Sequence, residues 1–256
     1  MNTELIRRRQ NSGQVILIAV LAMALILLSA QVYVFDVQTS TFSLDSDSIS
    51  DYIATIKLGS QNVVAGSLSN ISKNGASSVL AANLARWATL VNTQSQFGRS
   101  TLSYEEEESL PYSSGIWLSW NTQGYGVSSS VVHFAFNLSD REVEAELSYV
   151  INVTTSLNVE GTWRTILGDE KQVNFTINLL NEGKPALAHQ ITLYYRFSTS
   201  WLVPNASNNY AITDYGNGTY RASFNVSIPS PRVEVSLSVI DQRQILVKAN
   251  ATCIQA

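Results

Sequence analysis

Val131-Val132-His133-Phe134-Ala135-Phe136-Asn137-Leu138, then Ser139-Asp140-Arg141, then Glu142-Val143-Glu144-Ala145-Glu146-Leu147-Ser148-Tyr149-Val150-Ile151-Asn152-Val153-Thr154 is the stretch on which the fold turns. In the first run Val132, Phe134, Phe136 and Leu138 alternate with Val131, His133, Ala135 and Asn137. In the second, Val143, Ala145, Leu147, Tyr149, Ile151 and Val153 alternate with Glu142, Glu144, Glu146, Ser148, Asn152 and Thr154, and only Val150 breaks the pattern. A period of two sends successive side chains to opposite faces of a strand, so this predicts two half-buried strands joined by a tight turn.

Upstream, Ile116-Trp117-Leu118-Ser119-Trp120 opens a strand and Asn121-Thr122-Gln123-Gly124 turns it. Gln94 to Ser114 reads as a polar loop holding Glu105, Glu106, Glu107 and Glu108. Four consecutive carboxylates cannot all point at one ion, and no D-x-D-x-D-G pattern follows, so the run reads as a solvated acidic loop and no metal is assigned. Before it the period is helical. Asp45, Ser46, Asp47 and Ser48 offer N-caps, and Ile49, Tyr52, Ile53, Ile56, Val63, Val64, Leu68 and Ile71 form one apolar stripe, with Gly59 a point of weakness where the helix is open to breaking. After the turn Lys73-Asn74-Gly75, a second helix starts near Ser77 or Ser78 with the stripe Leu80, Leu84, Trp87 and Val91. Two striped helices joined by a short turn predict an antiparallel helical hairpin. With the β-meander it makes an extracellular α+β domain over 46–160.

Val15 to Phe35 carries no charge, proline or glycine. As a helix it is about 31 Å long, matching a bilayer's hydrocarbon core. Arg7, Arg8 and Arg9 precede it, and Asp36, Asp45, Asp47 and Asp51 follow. Basic residues stay on the cytoplasmic side. The expectation is a cytoplasmic tail (1–14), a transmembrane helix partnered by the lipid bilayer (15–35), a spacer (36–45) and everything later outside: a single-pass cell-membrane protein. Two rivals stand beside it. One is a secretory signal cleaved after Ala30. The other starts from Gly13-Gln14 before the apolar run, which resembles the processing site of type IV pilin-like leaders and implies self-association into a filament; that family carries Glu at the fifth position after the cut, where this chain has Ile18.

Downstream the pattern is purely β, with strands at 173–179, 191–197, 210–213, 220–226, 233–239 and from Ile245, separated by turn residues. Short strands at regular spacing predict a β-sandwich over 161–256. Asp214-Tyr215-Gly216-Asn217-Gly218-Thr219-Tyr220-Arg221-Ala222-Ser223-Phe224 resembles the D-x-G-x-G-T-Y-x-x-x-[YF] signature of filamin-type immunoglobulin-like repeats, and Asn181-Glu182-Gly183-Lys184-Pro185 resembles a strand-and-turn of adhesive modules. The resemblance implies an immunoglobulin-like fold and leaves function open.

Of the 256 residues 14% are charged, and the net charge of −4 argues against nucleic acid. Cys253 is the one cysteine, so there is no disulfide framework. Eight N-x-[S/T] sequons, all beyond the apolar stretch, make Asn70, Asn137, Asn152, Asn174, Asn205, Asn217, Asn225 and Asn250 glycosylation candidates. His133 and His189 stand apart, no hydrolase, zinc-protease or nucleotide motif occurs, and no cofactor is implied. Short basic tail, single anchor and sequon-rich β-domains are together similar to archaeal cell-surface proteins. The expected function is structural or adhesive, through contact with surface proteins or glycans. A pilin-like subunit comes second, and a secreted hydrolase or solute-binding protein last.

Overall fold

The computed structural model describes Met23, Gln31 and residues 46–94, 97–140 and 144–256. The tail, nearly all of the expected membrane helix, the spacer and the cleavage positions Gly13 and Gln14 lie outside the described residues. Among the described residues no helix is long and apolar enough to cross a membrane. The chain divides into two compact units, 1–54 and 55–256. The described residues of the first are helical. The second is α+β and holds every described strand.

Helix α1 spans Ser46–Ser72 and α2 spans Val79–Thr93. Helix α1 runs through Gly59 unbroken, against the expectation of a weak middle. A Cβ on Gly59 would run into the six-membered ring of Trp87, so the glycine makes room for an indole. The hydrogen bonds from Trp87 Nε1 to Ser60 Oγ (3.0 Å) and from Asn83 Nδ2 to Ser67 Oγ (3.0 Å) show the antiparallel pairing. Leu80, Leu84 and Val91 are buried as the stripe predicts, joined by Ala88.

Among the described residues twelve strands form one sheet: β1 Arg99–Glu106, β2 Ile116–Thr122, β3 Tyr125–Ser139, β4 Glu144–Leu167, β5 Glu170–Asn181, β6 Lys184–Pro185, β7 Ala188–Phe197, β8 Ser200–Leu202, β9 Ala211–Asp214, β10 Thr219–Ser227, β11 Val233–Asp241 and β12 Leu246–Gln255. The founding hairpin is β3–β4, antiparallel from Ser139↔Glu144 to Tyr125↔Asn158. Strand β1 replaces part of the expected loop. Its only fully buried apolar side chain is Leu102, too little alternation to announce a strand, yet it pairs with β3 along its whole length. Asn92 of α2 caps its outer edge, accepting from Leu102 N–H (2.6 Å) and donating to Leu102 C=O (3.4 Å). This covers one step of an otherwise open edge.

The main path runs β8-β7-β11-β12-β4-β5-β10-β9, with β12 and β4 parallel and the other pairs antiparallel. Strand β4 passes through residues 160 and 161, so the expected domain division falls inside it. The sheet curls. Tyr195 on β7 and Phe224 on β10 have four strands between them in the order, yet their ring centroids lie 5.3 Å apart. Val173, Ile177, Val235, Leu237 and Val247, all fully buried, fill the same core. Strand β12 crosses β3 so closely that a Cβ on Gly126 would strike the Lys248 carbonyl.

Candidate functional site

The eight sequon asparagines spread over the chain from α1 to β12 instead of converging. Asn70, Asn137, Asn152, Asn174, Asn205 and Asn217 are exposed, and Asn225 and Asn250 are half-buried. Alternation accounts for the strand positions: Asn137, Asn152 and Asn174 occupy the parity opposite the buried Phe136, Val153 and Val173. Three asparagines use their side-chain carbonyl to accept from the Ser or Thr of the same sequon: Asn152 from the Thr154 hydroxyl (2.7 Å), Asn205 from Ser207 N–H (3.0 Å) and Asn217 from Thr219 N–H (3.2 Å). These bonds engage Oδ1 and not the amide nitrogen. Asn225 differs, since its Nδ2 donates to Glu170 Oε1 at 3.4 Å.

The acidic run is drawn apart. Glu105 and Glu106 end β1 and, as neighbours in a strand, face opposite ways. Glu107 accepts from Ser109 N–H (2.9 Å) and meets His133 Nε2 at 2.9 Å. Hydrogen bonds from Ser109, then from His133, hold the Glu107 carboxyl down at about 2. Burial, then the Glu108 charge, pushes Glu106 up. Among the described residues no group of three or more His, Cys, Asp or Glu is placed to hold a metal ion. His189 lies on β7, on a different strand from His133. Cys253 is buried in the core, and burial pushes its thiol up to about 12.

Three polar clusters were not evident from the sequence. Asp241 is fully buried at the β11–β12 turn. It accepts from Ile245 N–H (2.8 Å), Thr155 Oγ1 (2.9 Å) and Arg243 Nε (3.0 Å), while Arg243 also reaches Glu182 (2.7 Å) and the Thr154 carbonyl (3.1 Å). Ser69, Ser72 and Lys73 bind that turn through Gln244 and Leu246. Lys171, also buried, donates to the carbonyls of Ile228 and Ser230 and lies 4.8 Å from the Trp163 ring centre. Fully buried Ser60 joins Trp87 Nε1 to the Tyr149 hydroxyl (2.9 Å). The sequence signal for each is faint: a polar residue beside an apolar run, whose partner lies up to 175 residues away. In all three the donors and acceptors satisfy one another, which suits bracing better than proton transfer or nucleophilic attack.

An open cavity of about 1240 Å³ is lined by residues of β4, β5, β7, β9, β10, β11 and β12 together with Trp201 of β8 and Tyr215, with Thr162, Asn174, Arg221 and Ser223 among its outward-facing residues. No family model, curated protein or solved structure matches this chain.

Proposed function

We propose that the chain is a membrane-anchored, extracellular, glycosylated surface protein that displays an immunoglobulin-like β-sandwich for structural or adhesive contact. The strand order carries the reading. β4-β5-β10-β9 on one side and β8-β7-β11-β12 on the other correspond to the A-B-E-D and C′-C-F-G orders of immunoglobulin-like sandwiches, joined by a parallel pairing of the first and last strands. The filamin-type signature falls on the β9–β10 hairpin, where Tyr220 and Phe224 enter the core. The apolar Val15 to Phe35 supplies the anchor, and six exposed sequon asparagines are accessible to glycans.

The test is the mass of the protein from its native membrane together with its N-terminal peptide. An intact N-terminus and a mass above the 28.1 kDa polypeptide is the expected result. A start at Gln14 turns the reading to a pilin-like filament subunit, and a start at Gln31 to a secreted protein. An intact chain at 28.1 kDa keeps the anchor and removes the glycans.

A further inference from the structure

We propose that the open cavity on the polar face of β4, β5 and β10 is the seat of a glycan carried by Asn174, held by the rings of Trp201 and Tyr215 and the guanidinium of Arg221. This rests on the glycoprotein reading and goes beyond it by assigning one attachment site and its contacts.

Asn174 is the exposed sequon asparagine that lines the cavity. Its side chain makes no hydrogen bond among the described residues, so its amide nitrogen is open to substitution. Its cross-strand neighbours are Thr162 and Ser223, and Ala211 follows in the next strand. These small side chains leave a low floor on which a bulky substituent can lie. Asn225, two residues along β10 from Ser223, lacks that freedom: it is half-buried and bonded to Glu170. Asn250 lines the same cavity but is half-buried.

The walls suit a saccharide. Trp201 is 43% exposed and Tyr215 53% exposed, large rings that line the cavity and are left open to water. A pyranose offers a C–H face that packs on such rings and hydroxyls for polar donors. Arg221 lines the cavity and makes no ion pair among the described residues, so its five N–H donors are available, whereas Arg196 is taken by Glu234 at 2.7 Å. At about 1240 Å³ the cavity exceeds the usual size of small-ligand sites, roughly 300–1,000 Å³, which fits a branched substituent entering from its own floor.

The test uses folded full-length protein from its native membrane and glycopeptide mass spectrometry that resolves each site. Asn174 is expected to be occupied, and mild periodate is expected to oxidise its glycan about tenfold more slowly than the glycan on Asn217, the protection one or two ring contacts provide. Trp201→Ala, and independently Tyr215→Ala, should bring the two rates together, as should unfolding the wild type. Asn174 bare while Asn137 or Asn217 is occupied overturns the seat and leaves the glycoprotein reading intact. Asn174 occupied but oxidised as fast as Asn217 in the folded protein also overturns it. All sequons bare overturns both.

Discussion

The strands backed by helices and the strands that curl around Phe224 belong to one sheet and both bury apolar side chains, but the first are also joined to the helices by directional hydrogen bonds. Where α2 meets β1 and Ser60 of α1 meets Tyr149 of β4, the joints are directional. Ser60 ties Trp87 to Tyr149, Asn83 ties the two helices at Ser67, and Asn92 grips Leu102. Around Phe224 the residues are aliphatic and aromatic, with Val233, Val235, Leu237, Val239 and Val247 fully buried. Each such side chain contributes about 1.5–3 kcal/mol through burial, without fixing an angle. The helices also bury Val64, Leu68, Leu80, Leu84 and Val91, and the hydrogen bonds add direction to that packing. A sheet packed on itself already has its strands in register and needs volume. Asp241 and Arg243 sit where the two regimes meet, binding the β11–β12 turn to Thr155 of β4.

Substitutions can break this contrast, and they rank by expected size. Phe224→Ala removes the ring that meets both Phe175 and Tyr195, and should cost about 4 kcal/mol in urea unfolding, as large-to-small core changes do. Asp241→Ala leaves Arg243 and Ile245 N–H without their buried acceptor and should cost about 3 kcal/mol. If both changes shift one shared transition, the two regimes form one cooperative unit; two separated transitions would divide them.

Gly59→Ala sharpens the comparison because two effects oppose. Alanine favours a helix by about 1 kcal/mol, but its methyl meets the Trp87 ring, and overpacking costs about 1–3 kcal/mol. The net effect should be destabilising, and in a Trp87→Leu background the same change should become stabilising. A double-mutant cycle without that reversal would refute the close-packed joint.

Glu107 should give the smallest effect. Its carboxyl is held at about 2, below the ordinary 4.5, so its contribution is full above pH 4.5 and is lost as the pH falls through about 2. An NMR titration should place its midpoint near 2, and Glu107→Gln should flatten the acid limb of the stability curve.

The alternation from Val131 to Thr154 led directly to the β3–β4 hairpin, because one wet face and one dry face write themselves into the sequence at period two. The striped helices were legible for the same reason at period 3.6. Strand β1 was not, since an edge strand under a helix buries little of its own and borrows its structure from β3. Of the candidate site, the sequons and their exposure in strands were readable. The grouping of Asn174 with Trp201, Tyr215 and Arg221 was not, because those positions span 47 residues from Asn174 to Arg221 and meet only through the sheet.

By itself the sequence determined most of the elements, the absence of a disulfide framework and the apolar stretch before residue 36, all of which depend on composition and on neighbours a few positions apart. Tertiary structure decided which polar groups are buried and the order of the strands. Lys171, Asp241 and Ser60 are tolerable inside only because partners 57, 86 and 89 residues away satisfy them, and pairing over such distances leaves no period in the chain.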